Sequence, residues 1–155
     1  MAPYASYVTG NDPLDVLRST LAGYQQVFAH NTAADWETPR VPGKWTPHQI
    51  MVHVTQWELI FSARIRTALA MPGYVVQAME QDDLLNIEAP AVDARTAASA
   101  FEGIRRMNIA LLSGLTPAQR ATEITHPEFG VIHIEDLIVT LAGHGAHHLT
   151  QLLPG

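Results

Sequence analysis

LAGHGAHHLTQL, residues 141–152, holds three histidines within five positions and two glycines among them. His144 and His148 stand four apart. Glycine costs a helix interior about 1 kcal/mol against alanine, so Gly143 and Gly145 need a reason. The stretch belongs to a helical pattern from about Ile134 to Leu152, which follows HPEFG, a Pro/Gly turn at residues 126–130. With Leu137 as zero and about 100° per residue, Leu141 lies near +40°, Leu152 near +60°, His144 near −20° and His148 near +20°. Both histidines therefore share the apolar, core-facing stripe. On the same wheel His147 falls at about −80°, at the edge of the stripe, and Gln151 at about −40°, beside His144.

Three further segments carry the same period. The first opens at NDPLD, where Asn11 or Asp12 caps and Pro13 suits the first helical position. Its stripe is Leu14, Leu17, Leu21, Tyr24 and Phe28. The second opens at TPHQ, residues 46–49, with Thr46 and Gln49 spaced as a capping box, and MPG at 71–73 stops it. The third runs from about Asp93 to Ser113 on a stripe of Ala97, Phe101, Ile104, Asn108, Leu111 and Leu115. TPAQ at 116–119 repeats the capping pattern and predicts a short helical turn. Residues 72–92 are long for a bundle connection and predict a crossover or a short helix of their own. No segment alternates convincingly, so no strand is expected. Four amphipathic helices must bury their stripes on one another, which predicts an all-α fold: a four-helix bundle with at least one long crossover connection, in one domain spanning residues 1–155.

On the second helix, with His53 as zero, Ile50 lies at about +60°, Trp57 at about +40° and Ile60 at about −20°. His53 thus also faces inward. One inward histidine is ordinarily a satisfied core residue. Three of them are costly, because each unpaired buried imidazole costs about 1–3 kcal/mol. A divalent metal ion supplies a shared partner. Histidines at i and i+4 can both reach one ion, and a third can come from a facing helix. Three neutral nitrogens with a free position form the open, catalytic type of site. Gly143 and Gly145 would then admit a neighbouring helix or a ligand near the ion; close helix packing is the plainer alternative.

Composition narrows the function classes. The chain has 155 residues, no cysteine and a net charge of −6. Disulfide scaffolds, thiolate zinc sites and a cysteine nucleophile are excluded. The acidic balance without a Lys/Arg cluster argues against nucleic acid. No apolar run approaches the ~20 residues that span a bilayer, and MAPYASYVTG lacks the marks of a signal peptide, so no membrane partner and a soluble, cytoplasmic protein are expected.

GKWTPHQIMVHVTQWE and HPEFGVIHIEDLIVTLAGHGAHHLTQL together resemble the DinB/YfiT-like superfamily of four-helix-bundle metal proteins. The matching residues are Trp45, His53 and Glu58, then His126, Pro127, Gly130, His144, His148 and Gln151. The resemblance implies a divalent ion, commonly zinc or nickel, on His53, His144 and His148. It implies a small-molecule substrate, with thiol-dependent S-transferases, a mycothiol-dependent isomerase and hydrolases among its relatives. Many members carry an aspartate three residues after the first histidine; this chain has Gln56 there.

Other residues admit two readings. Glu58, at about +140° from His53, suits packing or a salt bridge better than ligation. Gln151 can orient a ligand histidine or a water. Arg64 either snorkels out of the bundle or faces the pocket and binds an anionic group. Asn108 hydrogen-bonds within the core or lines the pocket. His147 belongs to the rim or to the pocket wall. Trp45 and Trp57 read as core, and His30, His48, His126 and His133 as structural. A metal-dependent transferase or hydrolase is therefore expected, with a low-molecular-weight thiol as one possible partner. The alternatives are a non-enzymatic metal- or ligand-binding bundle and a plain dimerisation module. A homodimer through an exposed apolar helix face suits this class.

Overall fold

A computed structural model describes residues 2–153. Met1, Pro154 and Gly155, part of the expected unit 1–155, lie outside the described residues. The elements, in chain order, are a 3-10 turn at Ala5–Tyr7, α1 (Pro13–His30), α2 (Ala33–Glu37), α3 (Pro47–Ala70), α4 (Gln81–Glu88), α5 (Ala94–Ser113), α6 (Pro117–Arg120), β1 (Glu123–His126), β2 (Gly130–His133) and α7 (Ile134–Leu152).

Local chemistry sets the helix starts. Asp12 accepts from the Leu14 amide at 2.7 Å and opens α1. Thr46 accepts from the Gln49 amide at 3.2 Å while Gln49 accepts from the Thr46 amide at 2.9 Å, the reciprocal box that opens α3. Thr116 and Gln119 do the same for α6. Asp93 caps α5 by accepting from the Thr96 amide at 2.8 Å.

The four long helices form the bundle. α1 and α3 each pack against both α5 and α7, so α1 faces α3, and α5 faces α7, across the diagonals. The segment joining α1 to α3 and the one joining α5 to α7 therefore each cross a diagonal. The first carries α2, which periodicity did not anticipate. The second carries α6 and an antiparallel hairpin that pairs Glu123 with His133 and His126 with Gly130. Gly130 turns the hairpin at φ +70°. The expectation of no strand fails here, because strands of four residues are too short to show alternation. The segment after α3 is stitched to the same hairpin: Val76 donates to Thr125 O at 2.8 Å, and Thr125 donates to Tyr74 O at 3.1 Å.

The core divides into two apolar clusters. Leu17, Phe61, Leu112 and Leu141 belong to one; Leu21, Val54, Phe101 and Leu152 belong to the other. A polar layer lies between them along every long helix. Arg105 is 0% exposed and Glu58 is 1% exposed, and Nη2 donates to Oε2 at 2.7 Å. Asn108 donates to the other Glu58 oxygen at 2.7 Å, and Arg105 also donates to Thr20 Oγ1 at 2.9 Å. The inward face of α5 is thus Ala97, Phe101, Arg105, Asn108 and Leu112, while Ile104, Leu111 and Leu115 are only half-buried. This corrects the expected stripe. Glu58 neutralises Arg105, which lets a guanidinium occupy a core position that leucine or isoleucine would ordinarily fill.

Candidate metal centre

His53 projects from α3, and His144 and His148 from successive turns of α7. All three are buried. Their ring centroids lie 4.5–5.1 Å apart. Nε2 of His53 is 3.1 Å from Nε2 of His144. One nitrogen from each ring lies within 4.8 Å of the others. Bonds of about 2.0–2.1 Å to one ion span nitrogens up to about 4.2 Å apart, so at most a small ring rotation separates this arrangement from ligation.

The hydrogen bonds leave a donor set for a cation. His148 Nδ1 lies 2.8 Å from Gln151 Oε1, an acceptor, so Nδ1 carries the proton and Nε2 is bare. That Nε2 is buried and has no hydrogen-bond partner. Burial, reinforced by the neighbouring imidazoles, pushes the His53 pKa down to about 3 and holds His144 well below the usual histidine range. Burial also lowers His148 to about 4, although its bond to Gln151 acts in the other direction. The three rings are neutral at pH 7, the form that binds metal. The residues present fit a divalent cation.

Aromatic side chains surround the cluster. Trp45 lies 4.8 Å from His53 and stacks at 6.4 Å on His148. Trp57 lies 6.3 Å from His53 and 6.1 Å from His144. Both are half-buried walls of the site, where the sequence suggested simple core. Tyr4, which carried no sequence signal, packs 5.4 Å from His144 and 5.2 Å from His147. Its backbone sits at φ +60°, a conformation a tyrosine adopts only under tertiary constraint. The glycines explain part of that constraint. A Cβ at Gly143 would collide with the Tyr4 carbonyl, and one at Gly145 would lie 2.9 Å from Arg105 Nη2. The glycines admit the N-terminal segment and a buried guanidinium, not a ligand. Tyr24 donates to Gly145 O at 2.8 Å, adding a tie from α1.

The other candidates divide. His147 is half-buried and pairs through Nδ1 with the Tyr7 hydroxyl at 2.8 Å. Asn108 binds Glu58 and accepts from Arg66 at 2.7 Å, so it serves the core network and not the pocket. Glu58 pairs with Arg105, as its angle suggested. Gln56 donates to Glu88 at 2.8 Å and to Leu84 O at 3.2 Å, fastening α4 to α3.

A cleft of about 450 Å³ opens beside His144, with Trp57, Phe61, Arg64, His126 and Phe129 among its walls. Arg64 does not snorkel: it is 7% exposed and donates to Gln77 O at 2.8 Å. His126, read from sequence as structural, is also a wall residue; burial, then the Arg64 charge, lowers its pKa.

An α-helical bundle with an inward histidine cluster defines the class, and residues 17–152 match the model of the DinB superfamily. The chain belongs to that family. A protein of Oceanobacillus iheyensis, provisionally named a metal-dependent hydrolase, is 24% identical over 71% of this chain; the match spans 64% of that relative's length. YfiT from Bacillus subtilis, described as a four-helix bundle of unusual topology, superposes with a TM-score of 0.81 at 20% identity, covering 90% of this chain and 81% of that one. A mycothiol-dependent maleylpyruvate isomerase superposes at 0.73 with 11% identity, covering 90% and 59%. Among the described residues no helix is long and apolar enough to cross a membrane.

Proposed function

We propose that this chain is a metal-dependent enzyme acting on a small molecule, with His53, His144 and His148 holding one divalent cation. One observation carries the reading: three buried, neutral imidazoles from two helices converge, and one presents a buried nitrogen with no other partner. Zinc or nickel suits all-imidazole ligation. Such a cation supplies Lewis acidity and lowers the pKa of a bound water or thiol. The chain's own residues do the rest. Gln151 holds His148 in the tautomer that offers Nε2. Tyr4, Trp45 and Trp57 keep bulk water from the cluster. The cleft beside His144 admits the substrate.

Hydrolysis is the first reading, supported by the name given to the Oceanobacillus relative. Transfer from a low-molecular-weight thiol is the second. It is favoured because, among the described residues, no carboxylate joins the histidine cluster. Hydrolysis must still move protons of the water and to the leaving group during the reaction, whereas a thiol already ionised at the cation, its proton released to solvent, would need no base beside it.

Metal analysis of untagged protein tests the assignment. Bound metal should approach one ion per chain and fall close to zero in H53A, H144A and H148A. Full metal content in all three variants would refute it. Esters and amides, tried against a thiol with an electrophile, then separate hydrolysis from transfer. Loss of metal that lowers stability but touches no activity in either panel would favour a binding bundle.

A further inference from the structure

The geometry points to a small organic carboxylate with an aromatic or branched apolar body as the substrate class, its carboxylate held by Arg64 and its body lying on Trp57. The inference rests on the proposed function for calling this occupant a substrate. Its basis is a charge without a counterion. Arg64 is nine-tenths buried, yet among the described residues no carboxylate forms an ion pair with it. Among the described residues only Nη2 has a hydrogen-bond acceptor, the carbonyl of Gln77. A guanidinium has five N–H donors in a planar fork, and burial without an anion is costly. The remaining donors are not sealed in the core, because Arg64 borders the cleft.

Trp57 sets the distance between the two ends. Cζ of Arg64 lies 5.6 Å from its ring and 5.9 Å from that of Phe61. The same indole is 6.1 Å from His144. On α3 His53 lies about one turn before Trp57 and Arg64 about two turns after it, so a molecule lying along Trp57 reaches the guanidinium at one end and the histidine cluster at the other. His126 lines the same cleft, and its Nδ1 accepts from the Glu128 amide at 3.2 Å, so Nε2 carries the proton and adds a second nitrogen donor to the cleft. Glu128 and Asp136 also border the cleft. Their charge disfavours a dianion such as a phosphate ester, whereas a monoanion needs only the Arg64 fork.

Calorimetric titration with 3-phenylpropionate, 3-phenylpropanamide and phenyl phosphate tests this on the metal-loaded protein. The carboxylate should bind at least about ten-fold more tightly than its amide, the difference a charge-assisted bidentate contact provides. Phenyl phosphate should bind more weakly than the carboxylate. R64Q should erase the preference for acid over amide, and R64K should keep part of it. The wild-type comparison of acid with amide needs no variant, so a folding defect in R64Q leaves the test intact. Equal binding of acid and amide, tighter binding of phenyl phosphate, or an acid preference that survives R64Q overturns the inference. Repeating the titration after chelation separates the two readings. If the preference disappears with the metal but survives R64Q, the anion sits on the ion; the substrate assignment fails and the metal site stands. If Arg64-dependent preference persists in protein that never takes up metal, the metal reading fails and the anion site stands.

Discussion

His148 donates through Nδ1 to Gln151 Oε1 at 2.8 Å, so Nε2 is left bare toward His53 and His144. The pair stands three positions apart on α7, where side chains at i and i+3 meet. Partners of this kind fix the tautomer of a metal-binding histidine, and their loss commonly costs about 10–100-fold in affinity (about 1.4–2.7 kcal/mol). Q151L should weaken zinc or nickel binding by about that factor while the helix stays folded. A chelator-competition titration reads it directly. Unchanged affinity would show that Gln151 does not orient His148.

Acid should unfold the metal-free protein through the same cluster. His53 and His148 have native pKa values of about 3 and about 4, and His144 is also strongly lowered, all by burial first. In the unfolded chain each returns to about 6.5. Below that pH the unfolded state binds more protons than the native state, so stability falls as pH falls. Each histidine costs about 1.4 kcal/mol per pH unit once the pH is well below 6.5, and no contribution is lost above pH 7. Urea unfolding of chelated protein at pH 7 and pH 5.5 measures the slope in a window above the carboxylate range. A flat profile there would mean that the native cluster accepts protons freely.

The parts of this molecule that sequence exposes are the parts decided locally. Thr46 with Gln49, and Thr116 with Gln119, cap their helices through residues three apart, and a reader of the chain sees both partners at once. The helical step turned His53, His144 and His148 inward without reference to anything else. Arg105 could not be read that way. A periodicity count assigns arginine to solvent, and only Glu58, on another helix, makes burial tolerable. Tyr4 was invisible for the same reason: its place depends on the absence of a Cβ at Gly143, far along the chain. Arg64 was visible on the inward stripe, but nothing local distinguished snorkelling from burial beside a cleft.

The Glu58–Arg105 pair should be a major stability determinant. Removing one partner of a fully buried ion pair typically costs about 3–5 kcal/mol, because the other charge is left unpaired. E58Q should approach about that loss, since the guanidinium of Arg105 would keep only neutral acceptors, the new amide oxygen, Thr20 Oγ1 and the Leu17 carbonyl, and no countercharge. The double variant E58L/R105M should lose less than the sum of the single losses, because it removes both charges together. Urea midpoints of the three variants test this. A loss below about 1 kcal/mol in E58Q would show that solvent reaches the pair.

Gly143 should control how the N-terminal segment docks. The Tyr4 carbonyl lies where a β-carbon at position 143 would project, and the Tyr4 ring rests on His144 and His147. In an isolated helix G143A would gain about 1 kcal/mol from propensity. Here the backbone of residue 4 must move, and overpacking of that kind costs about 1–3 kcal/mol. The clash involves main chain, which cannot turn aside as a flexible side chain can. The segment around Ala5–Tyr7 should therefore detach, and the bond between Tyr7 and His147 should break with it. Faster proteolysis within the first ten residues, with α7 still protected in hydrogen exchange, is the expected result. If G143A instead raises the melting temperature and leaves the N-terminal segment protected, helix propensity has outweighed the contact, and Tyr4 does not depend on the glycine for its place over the histidines.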